Sequence, residues 1–514
     1  MVSSLLADAV ADPTAVLLDL FAANDDIQAF SARVAAHFSA VFSSDAALAE
    51  IPALDALDAR HDRALVRFRA MVQDTSPSPE IYRARWPGPR CGGWGLADAS
   101  PHDISYDDLR ESTVFWAVSV PAQSPWCADP SSAPHNTPHS HKFPVPHHPH
   151  HAVQVKVYHN YPVKPTELHT FVGILTSEPL HADLDLDSPA LVPTLHVLFS
   201  LPTPTTIVPR VYPDPAFTKN TRDELITWIA DASLAGDQDA AEWVLLAAIA
   251  RVQSRSPPIL PLTLTVSCFP SPSPTATSTS TPALSHILTQ IFPLVTTLPL
   301  SLSTLNTTSF APESKNEDLH SGWLQLPRGT VCVVTEGGVS EGNVSERGLN
   351  NLRATQEMMN AQTLQYVFPY SAFAFDTDVA FVILSEGTKS AFFHASANIP
   401  LRPAIPDFDF YKTPEGVAPK AEDALASFRA LVGAAKIGSV TVNDQTAQFI
   451  QEDFVQERKA APAQDEVLTQ DHLIQRMMIA RLLALSMQEP EITVPIWKKA
   501  KEMETTRRAR ILSQ

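Results

Sequence analysis

The sequence predicts a multidomain α+β protein with a helical N-terminus, a small β-barrel, an α/β module and a helical C-terminal segment. A chain of 514 residues is too long for one hydrophobic core. Short strand patterns cluster in its first half, and near-continuous apolar strands alternate with helical patterns in its second half. The domains expected from these changes of pattern are residues 1–60, 61–212, 213–400 and 401–514.

Bulk composition favours a protein that binds other proteins in a reducing compartment. A net charge of -19 repels phosphate backbones, which disfavours non-specific nucleic-acid binding and favours basic protein partners. Four cysteines, none in a CxxC pair, predict neither a disulfide framework nor a zinc site. The N-terminus carries Asp8 and Asp12 where a signal peptide has a basic start, and no uninterrupted run of about 20 apolar residues occurs. A cytosolic or nuclear protein without a membrane segment is expected.

The N-terminal segment is predicted to be helical, and the next domain to be a small β-barrel of the OB type. Between Asp25 and Phe42, apolar residues recur near helical spacing. In the barrel domain, short alternating or apolar segments predict strands. These segments lie around 61–73 and at 111–121, 152–158, 167–175 and 191–199. Two inserts are expected in this domain, at 74–106 and 127–151.

The second insert is rich in histidine and proline. Seven histidines fall between His135 and His151, and imidazole is the commonest transition-metal ligand in proteins. Prolines such as Pro144 and Pro149 prevent a helix that could align such ligands. A polar, disordered loop with adventitious metal binding is therefore favoured, and no metal ligand is assigned. Deletion of 128–150 is expected to leave stability and partner binding nearly unchanged.

The third domain is predicted to contain a largely buried parallel sheet flanked by helices. A capping box from Thr221 to Glu224 predicts the start of one helix, and a second helix is expected at 239–253. Near-continuous apolar runs predict strands that are covered on both faces. These runs lie at 262–269, 330–336 and 379–386.

The third domain has the outline of a nucleotide site without its phosphate-binding residues. Glu336 ends an apolar strand as in a Walker B motif, but the Ser/Thr/Pro loop after 262–269 contains neither glycine nor lysine. No catalytic or cofactor-binding residue is assigned and no cofactor is expected. Glu336 and Glu386 could form an acid pair, but exposed strand-end carboxylates are the favoured interpretation. Cys332 is interpreted as a core residue, because it lies inside an apolar strand.

The last domain is predicted to be a helical lid. A helix near 470–487 is expected after an N-cap at Thr469, and its buried stripe is predicted by apolar residues at 4-3-4-3 spacing. The stripe consists of Leu473, Met477, Ala480, Ala484 and Met487. The basic segment 496–511 is expected to be a solvated helix end, with a nuclear-import signal as the alternative.

Several segments together resemble one family, the minichromosome maintenance (MCM) complex-binding proteins. They run in order from 65 to 511, and it is their order and spacing, not any single segment, that carries the resemblance. They include LVRFRAMVQD at 65–74, ESTVFWAVSVPAQSPW at 111–126, VKVYHNYPVKPTELHTFVGILTSEP at 155–179, SGWLQLPRGTVCVVTEG at 321–337 and IWKKAKEMETTRRARI at 496–511. The His-rich insert and the Ala-rich N-terminus depart from the family pattern, so no function is placed there.

The resemblance implies a barrel, a degenerate AAA+-like module and a helical lid, in the outline of an MCM helicase subunit. Residues 349–386 resemble the helicase stretch that leads to sensor 1, but Ser385 and Glu386 stand where a helicase carries asparagine. The implied function is a non-enzymatic partner of MCM helicase subunits in DNA replication. This role includes MCM assembly or supply, unloading from chromatin and sister-chromatid cohesion. The implied location is the nucleus, and also the cytoplasm, with indirect chromatin association and no small-molecule substrate.

Two alternatives remain open at this point. One is an AAA-type ATPase with an atypical phosphate loop, which the missing lysine disfavours. The other is a single-stranded DNA-binding barrel protein, for which Arg67, Arg69 and Lys156 could form a basic patch. The net charge of -19 disfavours this second alternative.

Overall fold

A computed structural model describes most of the chain. The described residues are 4–54, 63–88, 90–96, 105–127, 139–146, 148–179, 191–202, 215–272, 281–316, 318–338, 341–460 and 469–513. Parts of the two predicted inserts, at 97–104 and 128–138, lie outside these ranges, as does most of the Ser/Thr/Pro loop at 273–280. Within them the protein is mixed α and β, as the sequence predicts.

The N-terminal segment is helical and packs on the barrel that follows it. Its helices are α1 (Ser4–Ala11), α2 (Pro13–Ala23), α3 (Phe30–Val41) and α4 (Asp45–Ala49). In α3 the predicted apolar face is buried at Phe30, Val34 and Phe38. These side chains share a hydrophobic cluster with Phe199 of the barrel, so the helices cover one of its faces.

The predicted strands of the second domain form a closed ring of five. The strands are β1 (Leu65–Asp74), β2 (Glu80–Arg83), β3 (Arg85–Trp86), β4 (Arg90–Cys91), β5 (Leu109–Ser119), β6 (Ala152–Val157), β7 (Leu168–Pro179) and β8 (Leu191–Pro202). The ring order is β1-β7-β8-β6-β5, and β5 pairs back to β1. Only β6 and β8 are parallel within the ring. Inward-facing residues such as Phe68, Phe115 and Phe171 form its core.

A five-stranded sheet whose pairings are all parallel is the centre of the second half of the chain. It contains β11 (Leu264–Ser267), β13 (Val295–Pro299), β16 (Thr330–Thr335), β19 (Val379–Leu384) and β20 (Ala397–Pro400), in the order β13-β16-β19-β11-β20. Every residue of β16 and β19 is buried, because both faces of the sheet are covered. Cys332 lies fully buried in β16, which confirms its place in the core.

Helices and short strands surround this sheet. The helices are α5 (Pro215–Ser233), α6 (Gln238–Ile249), α7 (Ala283–Ile291), α8 (Leu302–Thr307) and α9 (Glu346–Ala361). The strands are β9 (Ser254–Arg255), β10 (Pro258–Ile259), β12 (Thr281–Pro282), β14 (Glu313–Lys315), β15 (Asp318–His320), β17 (Thr363–Phe368), β18 (Ser371–Asp376) and β21 (Tyr411–Lys412). The capping box predicted at Thr221 is wrong, because α5 begins at Pro215 and Thr221 lies inside it. The next helix, α6, is capped by Asp237, whose side chain accepts a hydrogen bond from Ala240 N at 3.1 Å.

The C-terminal helices share one hydrophobic core with the parallel sheet. They are α10 (Glu422–Ile437), α11 (Asp444–Ala460), α12 (Gln470–Ser486) and α13 (Val494–Leu512). Ile479 of α12 and Trp497 of α13 are fully buried in the same cluster as Val266 of β11. No helix in the described ranges is long and apolar enough to cross a membrane.

The predicted N-cap of α12 is confirmed, but the predicted stripe does not include all the residues that the helix buries. Thr469 and His472 form a reciprocal capping box, which confirms the N-cap. Ala480 and Ala484 are buried, but Met477 is only half-buried, as are the other two stripe residues. A second set of apolar residues, which includes Ile479, is buried as well. The helix contacts α6, α10 and α13, so it buries more than one stripe.

The expectation that segment 496–511 is a solvated basic helix end is wrong for two of its six basic residues, whereas Lys498 is exposed as expected. Arg507 and Arg510 of α13 are both buried. Arg507 pairs with Glu504 at 2.7 Å, and Arg510 donates to Asp237 and to Asp239 at the start of α6. Arg510 therefore attaches the last helix to the start of α6.

The second half of the His-rich insert is part of the packed structure. The ammonium group of Lys142 is fully buried, contacts Asp74 Oδ2 of β1 at 3.2 Å and forms a hydrogen bond with Asp318 of β15. Phe143 is buried in a cluster with Trp116 of β5. The interpretation of the insert as a dispensable polar loop is therefore wrong for this part, since its deletion would remove both side chains.

Candidate partner interface

The carboxyl edge of the parallel sheet is the edge at which the sequence has the outline of a nucleotide site. Glu336 follows β16 there and is buried, so its interpretation as an exposed strand-end carboxylate is wrong. One of its oxygens accepts a hydrogen bond from the Ser390 hydroxyl, and the other accepts one from Ala391 N at 3.1 Å. Glu386 is exposed, as expected. The Glu336 carboxylate is therefore hydrogen-bonded within the protein.

The space beside Glu336 is narrow. A Cβ atom added to Gly337 would lie 3.1 Å from Pro272 Cδ, 3.2 Å from the Tyr411 hydroxyl and 3.3 Å from Glu386 Oε1. Burial, and then the charge of Glu386, raise the pKa of Tyr411 to about 12, so the phenol is neutral at physiological pH. A neutral phenol and a proline ring supply no positive charge for a phosphate group.

The N-terminus of α7, which follows the Ser/Thr/Pro loop, is also covered. Pro282 precedes the helix and has no N–H, and Ala283 N donates a hydrogen bond to Phe410 O at 2.8 Å. The strand β21 pairs with β12 directly in front of this helix. Helix N-termini bind phosphate through free N–H groups, and here the first of them is used within the protein.

A β-hairpin made of β17 and β18 follows α9. Its strands are joined by a two-residue turn of Pro369 and Tyr370, and β18 is the edge strand of a four-stranded sheet. The relative exposure is 101% for Tyr370, 61% for Phe373 and 41% for Val367. Exposed aromatic side chains on an edge strand are typical of sites where another protein binds.

The strand β17 of the hairpin is hydrogen-bonded to the barrel. The Tyr366 hydroxyl donates a hydrogen bond to Gln73 O of β1 at 2.5 Å. Gln325 Nε2 donates to the same carbonyl group. A groove of about 490 Å³ runs between the hairpin and α9 and is lined by Arg347, Arg353 and other residues. Tyr366 lies opposite Phe373 in the hairpin, so the strand beside this exposed aromatic residue is held in place, which reduces the entropy lost on binding.

The three basic residues of the barrel that could bind single-stranded DNA do not form an open basic patch. Lys156 is buried and pairs with Glu178 at 2.8 Å and with Glu80 at 2.5 Å. Arg67 donates to Ile51 O at 2.9 Å, and burial lowers the pKa of Arg69. The barrel therefore pairs or buries these charges within the protein.

Sequence reasoning missed the residues that this surface depends on. Tyr366 and Gln325 are remote in sequence from Gln73, so no local pattern links them. Within β18, Phe373 and Phe375 alternate with the small residues Ala372 and Ala374, and only this alternation could have indicated a strand with an aromatic face.

Together these features define a mixed α/β protein that fills the edge of its parallel sheet with its own side chains and exposes an aromatic hairpin. Residues 128–511 match the profile of the mini-chromosome maintenance replisome factor family. This match covers more than half of the chain, and the protein belongs to that family.

Relatives from animals and plants carry the name mini-chromosome maintenance complex-binding protein. The Salmo salar protein is 24% identical over 628 aligned positions, which cover 99% of this chain and 98% of the relative. The Gallus gallus protein is 28% identical over 302 positions, which cover 57% of this chain and 45% of the relative. The Arabidopsis thaliana protein is 25% identical over 366 positions, which cover 66% of this chain and 59% of the relative. The last two alignments span less than two thirds of those relatives.

Proposed function

We propose that this protein is a non-enzymatic binding partner of MCM helicase subunits that acts in DNA replication. Family membership and the name of its relatives support the choice of partner. One observation carries the non-enzymatic part of the proposal: the Glu336 carboxylate and the first N–H of α7 are both hydrogen-bonded within the protein.

The domain assignment that goes with this proposal has a barrel of the OB type, a degenerate AAA+-like α/β module and a helical lid. The five-stranded ring at 65–202 supports the barrel assignment. A parallel sheet with a carboxylate after β16 supports the second assignment. A protein of this outline can dock where a helicase subunit docks, because it presents similar faces.

The cellular role belongs to the same proposal. It includes MCM assembly or supply, unloading of MCM from chromatin and sister-chromatid cohesion. The protein acts in the nucleus and also in the cytoplasm, and it reaches chromatin through its MCM partner. The exposed hairpin of β17 and β18 is the docking face we propose for that partner.

Replacing Tyr370 and Phe373 with serine is expected to weaken binding to MCM subunits without unfolding the protein. Both side chains are exposed, so the melting temperature should change little, whereas loss of two interface aromatics should reduce affinity about tenfold or more. Titration of purified MCM subunits against the immobilised double variant measures the effect. Tyr106→Ser is the control, because Tyr106 is 89% exposed and lies on the barrel domain.

Two results would count against these assignments. If the double variant binds MCM subunits like the parent, the hairpin is not the docking face. If the parent protein itself captures no MCM subunit, the proposed function is wrong.

We also expect no saturable ATP binding. Glu336 and the first N–H of α7 are hydrogen-bonded within the protein, so titration of ATP and magnesium into the protein should give only heat of dilution. Isothermal titration calorimetry on the parent and on Glu336→Gln makes the comparison. Micromolar binding that Glu336→Gln abolishes would instead support the ATPase alternative.

A further inference from the structure

Three potential metal ligands from two distant parts of the chain lie together beside the barrel. They are His141 of the His-rich insert and Asp318 and His320 of β15. One ligand atom from each residue can be chosen so that all three atoms lie within 4.8 Å of one another. All three residues are partly exposed, so solvent can reach the cluster.

The backbone positions these three side chains. Asp318 and His320 are two residues apart on a strand and therefore project from the same face. Ser321 N donates a hydrogen bond to His141 O at 2.8 Å, which holds the insert against the end of β15. The neighbouring Lys142 is fully buried and donates to Leu319 O at 3.0 Å. The cluster is thus built on a fixed part of the insert.

Lys142 also orients the carboxylate. It bonds to Oδ1 of Asp318, while Oδ2 faces His141 Nε2 at 2.6 Å. A ligating carboxylate is commonly held in this way by a second group behind it. The charge of Lys142 is shared with Asp74, which limits its repulsion of a cation at Oδ2.

A simple ion pair accounts for His141 and Asp318 but not for His320. The His320 ring lies against the His141 ring, with centroids 4.3 Å apart. In the described residues, no hydrogen bond to a ring nitrogen of His320 is present. Two imidazoles this close together, tilted by 32° beside one carboxylate, are explained better if a cation draws their nitrogens together.

We propose that His141, Asp318 and His320 bind one divalent transition-metal ion of borderline softness, with Zn²⁺ as the test ion. Two imidazoles and a carboxylate are a ligand set that Zn²⁺ accepts, and solvent supplies the fourth ligand. At metal–ligand distances of about 2.0–2.2 Å, tetrahedral ligand atoms lie about 3.3 Å apart, so the side chains close in by small rotamer changes. The ion replaces the hydrogen bond between His141 and Asp318.

The ion would join the insert of the barrel domain to the β14–β15 hairpin of the α/β module. It strengthens a junction that Lys142 already makes with Asp74 and Asp318. Metal binding should therefore raise the melting temperature, because its ligands come together only in the folded chain.

The test must separate this site from adventitious binding, since seven histidines lie between His135 and His151. Full-length parent, His320→Gln and His148→Gln are titrated with Zn²⁺ by calorimetry and with Co²⁺ by visible absorption. His148 is an exposed residue of the same insert and is outside the cluster, which makes it the matched control. The parent and His148→Gln should bind one equivalent, and His320→Gln should bind about tenfold more weakly or not at all.

Melting curves provide the second readout. Zn²⁺ should raise the melting temperature of the parent and of His148→Gln but not that of His320→Gln, and the three should melt alike without metal. If His320→Gln fails to fold, His141→Gln takes its place with the same expectation. Equal Zn²⁺ affinity in the parent and His320→Gln, or no stoichiometric binding by the parent, overturns the proposal.

Discussion

Replacing Lys142 with alanine is expected to destabilise the folded protein by about 3–5 kcal/mol, because it breaks a buried charge network by removing one partner. The side chain of Lys142 is fully buried and lies between the carboxylates of Asp74 and Asp318. Asp74 is itself buried, with 3% of its side chain exposed, so its carboxylate would be left buried without a cation beside it. The ammonium group also lies 5.0 Å from the centroid of the Trp116 ring, and that attraction would be lost as well.

The pKa of Asp318 follows from the same contacts. Burial alone raises the pKa of this carboxyl group, but the hydrogen bond from His141 and the positive charge of Lys142 lower it well below its ordinary value. The carboxylate is therefore ionised at neutral pH, and the positive charge of Lys142 stabilises it there.

Thermal and urea unfolding of Lys142→Ala measure the loss. Lys164→Ala is the matched control, because Lys164 is exposed on the same barrel domain and should cost little. Should the two variants unfold alike, water or a rearranged side chain replaces the ammonium group, and the insert contributes little to the junction.

Replacing Arg510 with alanine is the second change for which we expect a loss of about 3–5 kcal/mol. Arg510 donates to both oxygens of Asp237, at 2.8 and 3.0 Å, and to Asp239 at 2.6 Å. Only 2% of the Asp237 side chain is exposed. The same carboxylate caps α6 and accepts a hydrogen bond from Arg402 N at 2.8 Å. Without the Arg510 guanidinium group, the last helix would be attached more weakly to α6 and to the segment after β20.

Arg458→Ala on the neighbouring α11 is the control for this variant, since Arg458 is exposed. Arg510→Lys should fall between the two, because an ammonium group cannot reproduce the two parallel hydrogen bonds of guanidinium. Urea unfolding monitored by tryptophan fluorescence detects the change, since Trp497 is buried in α13. A melting temperature of Arg510→Ala equal to that of Arg458→Ala would show that segment 496–511 is solvated after all.

The sequence by itself determined the elements that depend on local pattern. The barrel strands and the strands that end at Ser267, Thr335 and Leu384 were predictable, because alternation and continuous apolar runs report how each residue meets the core. The N-cap at Thr469 was predictable for a related reason, since its partner His472 is three residues away. The α+β character and the family resemblance rest on such local signals taken in order.

Only the tertiary structure determined which residues of the charged and histidine-rich segments are buried and paired. Lys142 and Arg510 occur in polar, basic or proline-rich stretches, and polarity alone predicts exposure. Their partners Asp74 and Asp237 lie 68 and 273 residues away, so neither pairing leaves a local pattern. The same holds for Asp318 and His320, which meet His141 across the junction of two domains. A buried charge is stable only beside its partner, and it is the folded chain that brings the two together.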